Sequence, residues 1–245
     1  MALHDTVFAE VKRRDPERAK FAALAPARER RAILALLAFD LEVSRISHLV
    51  HEPTLALIRL QWWKDGVAEI YAGSNTSLGS PVAEALKAAI RAHALSPVCF
   101  ERYFETWEGR FISGLPVDAV AHTVFAGGTA GEIEALSLEV LGGVNRRDEA
   151  LRVGTVWGLV GTLRSQSQEM SPERACQLCE AAEAEIGLIN PQFQRAFAPV
   201  FLKVIGLTSF LRALRGAEFD VTAKAVRQWR PSPWKTLLAV CRSRV

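Results

Sequence analysis

Cysteine, charge of one sign and long apolar runs are all scarce in this chain, and each shortage removes a class of function. The 245 residues carry a net charge of only +3. That is too mild for nucleic-acid binding, which needs Lys and Arg clustered along a groove and interleaved with exposed aromatics, and no such stripe occurs. Only four cysteines are present, Cys99, Cys176, Cys179 and Cys241. Their spacing suggests no disulfide framework and no secretory signal precedes them, so a reducing cytoplasm is the expected compartment. Cys176 and Cys179 form a lone CxxC without the βαβ setting or second ligand pair that redox or zinc chemistry requires. The expectation is two cysteines on a helix. The longest clean apolar run, Ala32 to Phe39, falls far short of the roughly 18–20 residues of a membrane span. No transmembrane segment is therefore expected, while peripheral contact with a membrane stays open. Asp5, Glu10, Asp15 and Glu17 among the first basic residues argue against a transit peptide.

Alternating β-branched runs bounded by turn residues are also lacking, and helical periodicity fills the space they leave. Hydrophobic residues make up 49% and charged residues 23% of the chain, enough to bury a core without staples. Asp15-Pro16, Pro26, Glu52-Pro53, Ser80-Pro81, Ser96-Pro97, Ser171-Pro172, Asn190-Pro191 and Ser232-Pro233 read as helix starts, with a capping residue or a proline at the first turn. Leu57, Leu60, Trp63, Val67 and Ile70 recur at three and four, giving a buried face that ends at Tyr71 before Gly73. Phe125 to Leu141 reads as one helix that opens on the small residues Gly127 to Gly131. Asn145 or Arg146 opens a long helix to about Glu169. Pro199 predicts a kink within the helix after Asn190. Loops are short, and neither a repeat nor a Pro/Gly/Ser-rich linker is visible. One all-α domain over residues 1–245, a bundle of about ten helices, is the economical reading.

Several islands of sequence carry a family likeness. Arg59-Leu60-Gln61-Trp62-Trp63-Lys64 with Tyr71-Ala72-Gly73 is similar to a "LxxWRxxLxxxYxG" pattern, and Pro81 to Leu86 to "HPVxxAL". Phe125 to Gly131 with Leu141-Gly142 is similar to "YCxxVAGxVG…vfG". Trp157 to Arg164 stands where "GxAfQLTNiLRDVxED" begins. In this order they resemble the squalene/phytoene synthases, and the likeness spans roughly Phe21 to Arg215. The resemblance implies an isoprenoid (terpenoid) synthase-like helical fold. In active members it also implies two aspartate-rich motifs that hold Mg²⁺ against a prenyl diphosphate.

The departures fall on that chemistry. Leu37-Ala38-Phe39 aligns with the start of the first motif, "YAFCRxxDDxxD", and Ser44, Arg45 and His48 then take the aspartate positions. In the second motif Ser165 replaces an aspartate. Gln168 and Glu169 replace the later acidic pair, so Glu169 is the one carboxylate retained. Phe125 replaces a tyrosine. Positions 44 and 48 are one helical turn apart and share a face. Two carboxylates there would gather Mg²⁺, whereas a hydroxyl, an imidazole and the neighbouring guanidinium cannot. Removing the metal from an ionising step forfeits several kcal/mol, a loss of at least thousands-fold in rate at ~1.4 kcal/mol per decade.

The resemblance is greatest to a subgroup linked to respiratory complex I assembly, whose members also lack full aspartate motifs. It implies a non-catalytic protein that needs no cofactor and binds a protein partner or a prenyl or lipid ligand, in the cytoplasm or at the membrane periphery. Two alternatives stand beside this reading. One is an active prenyltransferase condensing two prenyl diphosphates, with Asp40 and Glu169 as a rebuilt Mg²⁺ site. The other is a metal-free prenyl-diphosphate binder using Arg45, Arg59 and Arg164 near Phe125, through charge-assisted hydrogen bonds to phosphate. Against both stands the bland reading, in which these arginines are solvated or pair with Glu42, Asp65 and Glu169. Of the adjacent pair Trp62 and Trp63, one is expected in the core and the other toward a partner. His48 and His51, without a third ligand, read as a polar helix end.

Overall fold

A computed structural model describes residues 2–50, 52–75, 77–165 and 170–230, with side chains from Val7 onward. Thirteen α-helical segments lie among the described residues, eleven of them seven residues or longer, and no strand occurs there. They fall into two compact units, one of residues 1–115 with 135–145 and one of 116–134 with 146–245.

The first unit is built around α3 (Ala27–Leu49). Every residue from Ala32 to Asp40 is buried. A helix apolar all round is a core helix rather than a surface one, which explains why the ILALLAF run shows little periodicity. α1 (Ala2–Arg14), α2 (Pro16–Ala22), α4 (Pro53–Tyr71) and α5 (Pro81–His93) pack against it, and α6 (Pro97–Ser113) packs on α4. Aromatic rings lock the centre. Phe39 meets Trp63, Phe100, Tyr103 and Phe104 at centroid distances of 5.1 to 5.8 Å, contacts worth about 0.5–1.5 kcal/mol each beyond burial. Starts follow the sequence signals. Asp15 accepts the Arg18 N–H at the head of α2, and Ser80 accepts the Ala83 N–H at the head of α5. α6 is closed differently. Ser96 has no side-chain cap bond, and its own N–H donates to Glu139 at 2.8 Å.

The second unit is built around α9 (Arg147–Ser165), covered by α7 (Ala119–Ala126), α10 (Pro172–Gly187) and α12 (Lys203–Gly216). The single helix expected from Phe125 to Leu141 is instead three pieces: α7, a π-helical turn at Gly127–Gly131, and α8 (Glu132–Val140). α7 starts earlier than expected because Asp118 caps it, accepting the Ala121 N–H at 2.8 Å. The π turn is where two glycine pairs meet. A Cβ on Gly154 would lie 2.3 Å from the Ala130 carbonyl oxygen, and one on Gly158 would lie 2.7 Å from the Ala126 Cβ. The small residues thus serve a backbone-on-backbone crossing.

Asn190-Pro191 does not start a helix. The chain turns there, and a 3-10 turn at Arg195–Phe197 leads into α11 (Ala198–Phe201), with Pro199 in its first turn. The proline therefore begins a helix rather than kinking one, since its missing N–H is one that a first turn leaves unbonded. Together, Arg195–Gly216 has the length and hydropathy of a membrane span, a test that a buried core helix also passes. It lies mostly inside the second unit, 61% of its apolar window being buried. Lys203 in its middle is paired with buried Glu134 at 2.5 Å. A short α13 (Lys224–Arg227) closes the described part, and the helix expected after Ser232-Pro233 lies outside the described residues. Cys176 and Cys179 sit on α10. Burial raises both thiols, Cys179 to about 11, with Glu180 and Glu183 respectively adding to it, so neither is a poised nucleophile.

Candidate functional site

The degenerate first motif lies on the last three turns of α3. Ser44 donates to the Leu41 carbonyl at 3.2 Å, a bond that turns its hydroxyl back along its own helix. Arg45 donates to Glu42 at 3.1 Å, and Glu42 also faces Arg14 at 3.4 Å. His48 is exposed, and His51 lies outside the described residues. The Arg45–Glu42 pair agrees with the bland reading of that arginine.

Asp40, one turn before Ser44, is the carboxylate placed to rebuild a metal site. Both its oxygens are committed. Tyr103 donates to Oδ1 at 2.9 Å, and Arg18 donates to Oδ2 at 2.8 Å. Arg18 is buried and also pairs with Asp15. Burial, followed by the adjacent Asp40 charge, pushes the Tyr103 phenol well above its ordinary range and keeps it a donor. A carboxylate held between a guanidinium and a phenol is a structural node. Together with a hydroxyl bonded to its own helix, an exposed imidazole and a guanidinium, it is a donor set that does not fit Mg²⁺. Among the described residues no cluster of three His, Cys, Asp or Glu side chains could hold a metal. Glu169, the other half of the rebuilt site, lies outside the described residues, as does Gln168.

Arg45 and Arg59 do come together. With Ile46, Leu49 and Trp62 they line a groove of about 270 Å³ between α3 and α4. Arg59 is exposed. Trp63 is the core member of the tryptophan pair and Trp62 the exposed one, at 46%. The two rings meet edge to face, 4.9 Å apart.

In the second unit Ser165 is exposed at the end of α9 and donates to the Thr162 carbonyl at 3.3 Å. Arg164 reaches over the Trp229 ring at 6.0 Å and lines a separate hollow with Phe210 and Arg227. Phe125 is half-buried at the end of α7, where its carbonyl accepts the Thr129 hydroxyl at 2.7 Å. The role of Asp40 as a buried node went unread in the sequence. The signal was available, because a carboxylate closing a solid apolar run must find partners when it is buried. Leu55 and Ile58, exposed on the outer side of α4, were likewise passed over in favour of the inner face.

A human protein named NADH dehydrogenase (ubiquinone) complex I, assembly factor 6 is 23% identical over 253 residues, covering 89% of this chain and 75% of its own. The bovine protein of the same name is 26% identical, covering 86% of this chain and 73% of its own. A crystal structure of a dehydrosqualene synthase in complex with ligand superposes with a TM-score of 0.68 at 12% identity, over 99% of this chain and 95% of that one. That likeness shows the isoprenoid synthase fold. The family model for squalene/phytoene synthase matches residues 11–172, and with that match the chain belongs to the squalene/phytoene synthase family.

Proposed function

We propose that this chain is a non-catalytic member of the family that acts through a protein partner in the assembly of respiratory complex I, as a cytoplasmic protein working at the membrane periphery. The observation that carries the reading is the fate of the first motif. Its aspartate positions hold Ser44, Arg45 and His48, and the one acid in reach, Asp40, is bound by Arg18 and Tyr103. An ionising step without charge neutralisation on the diphosphate is slower by at least about three decades. A scaffold kept intact around such a site serves binding rather than turnover. The mammalian relatives named as complex I assembly factors support the choice of partner system.

Two measurements test this. A strain lacking the gene should show loss of assembled complex I on native gels and loss of NADH-dependent quinone reduction, both restored by the wild-type chain. Purified protein given farnesyl or geranylgeranyl diphosphate with Mg²⁺ and NADPH should release no diphosphate, while an active family member does. Normal complex I in the deletion strain removes the assembly role, and diphosphate release above background removes the non-catalytic one.

A further inference from the structure

Helix α4 is apolar on two faces, and only one of them is used. Its inner face, Leu60, Trp63, Val67 and Ile70, is buried. Leu55, Ile58 and Trp62, at i, i+3 and i+7, form a second row that is 51%, 61% and 46% exposed, joined at one end by Leu49 of α3, 57% exposed. A solvated helix needs one apolar stripe, and a contiguous second one marks a contact surface. Trp62 stands edge-on against buried Trp63, so its ring is a fixed ridge between two hollows.

The hollows carry opposite charge. The one of about 270 Å³ is bordered by Arg45, which Glu42 on the same rim pairs at 3.1 Å, and by Arg59, whose charge is left over. The other, about 340 Å³, is bordered by Asp65 and Glu69 and passes over Gly66. Gly66 is one turn beyond Trp62 on the same face and presents no side chain there. Arg59 has no ion-pair partner among the described residues. Among the described residues Asp65 accepts a neutral bond, from Gln61 at 2.6 Å, and has no ion-pair partner.

We propose that this face docks an amphipathic helix of a partner protein, with a carboxylate at the end over Arg59, Lys or Arg at the end over Asp65 and Glu69, and apolar residues closing on Trp62 between them. The inference rests on the protein-partner reading above and names the partner's chemistry. From Leu55 to Glu69 the face runs roughly 20 Å at ~1.5 Å per residue, the length of a four-turn helix. The i, i+3, i+7 spacing of the ridge is that of helix-on-helix docking, and tryptophan and arginine are the residue types that anchor such contacts. An anionic lipid surface fits less well, because the Asp65 and Glu69 half would repel it.

The test places a photoreactive benzoylphenylalanine at Ile58 of the full chain, in cells lacking the unmodified copy, with the same group at exposed Val120 as control. Adducts are mapped by mass spectrometry. The expected result is an Ile58 adduct on one segment of another protein, amphipathic, acidic at one end and basic at the other, absent at Val120. Arg59→Glu should reduce its yield at least about tenfold. Adducts on lipid, on a second copy of this chain, equally at both positions, or none at Ile58 overturn the proposal. Complementation separates the two readings. If the wild-type chain fails to restore complex I, the assembly role fails, and the adduct map still decides the docking face. If wild type restores it and the double variant Ile58→Glu, Arg59→Glu, verified as folded by its melting curve, restores it equally well, the docking face is wrong.

Discussion

Tyr103 donates to Asp40 Oδ1 at 2.9 Å across the centre of the first unit, and Arg18 closes the other side at 2.8 Å. Removing the carboxylate leaves the buried Arg18 still paired with Asp15 but without one of its carboxylates, and the Tyr103 hydroxyl without its acceptor. Asp40→Ala should therefore lower the unfolding free energy by about 3–5 kcal/mol, the usual result of breaking one side of a buried pair. Asp40→Asn keeps an acceptor for the phenol and should lose less, about 1–3 kcal/mol. Urea unfolding followed by far-UV circular dichroism measures both. An alanine variant within about 1 kcal/mol of wild type would make Asp40 a ligand held in reserve rather than a structural node.

The crossing of α9 with the π turn makes opposite predictions for glycines on one helix. A methyl at Gly154 has no room, with the Ala130 carbonyl oxygen 2.3 Å from where it would sit, and one at Gly158 meets the Ala126 Cβ at 2.7 Å. Either alanine variant forces two helices apart and should cost about 1–3 kcal/mol, more at Gly154, where the clash is with backbone. Gly161 has nothing within 4 Å. Gly161→Ala should stabilise by up to about 1 kcal/mol through helix propensity alone. Melting temperatures of the three variants in one buffer decide the matter.

The helix starts and the all-helical class were legible because Asp15-Pro16, Ser80-Pro81 and Ser171-Pro172 each place a capping side chain before a proline. Those bonds are local and do not wait on the rest of the fold. The family islands were legible because motifs survive where backbone crosses backbone, as at Gly154 and Gly158. Other features depended on partners distant in sequence. The π turn at Gly127–Gly131 arises from the crossing with α9, and nothing in GGTAG itself asks for i to i+5 bonding. Asn190-Pro191 looks like a cap and a first turn, yet the chain there folds back and Arg146 donates to the Gln192 carbonyl at 2.8 Å. At the candidate site the resemblance places Ser44, Arg45 and His48 at aspartate positions. That Asp40 was spoken for could not be read there, since Arg18 and Tyr103 come from two other helices.

His122 should make the second unit sensitive to acid. Arg174 donates to its Nε2 at 2.8 Å. A guanidinium can only donate, so the imidazole is neutral with its proton on Nδ1. Burial, then the Arg174 charge, lowers its pKa below the ordinary 6.5, with Asp118 opposing weakly. The unfolded chain therefore binds the proton more readily than the folded one. The stabilisation from a neutral His122 is fully present above about pH 6.5 and is lost progressively as the pH falls from there through its lower folded-state pKa. His93, also lowered by burial, contributes in the same direction. Melting temperature should drop between pH 7 and pH 5 in wild type and drop less in His122→Gln. Identical slopes in the two proteins would remove His122 from the account.

Restoring the acids tests the reading of the first motif from the opposite side. Ser44 and His48 share one face of α3, a turn apart. Ser44→Asp with His48→Asp places two carboxylates at the positions that the family resemblance assigns to aspartates, and hard divalent cations seek such an arrangement. The double variant should rise in melting temperature with millimolar Mg²⁺, by the free energy of binding to the folded form alone, and wild type should not move. Arg45 sits between the two positions and opposes the cation. Adding Arg45→Asp should therefore enlarge the shift, while also freeing Glu42 from the bond it now makes at 3.1 Å. A wild-type protein that is itself stabilised by Mg²⁺ would mean that a metal site survives, either around Asp40 or away from it. Asp40→Ala would separate the two cases. A Mg²⁺ response that persists in that variant lies away from Asp40, and one that vanishes puts the carboxylate back among the ligands.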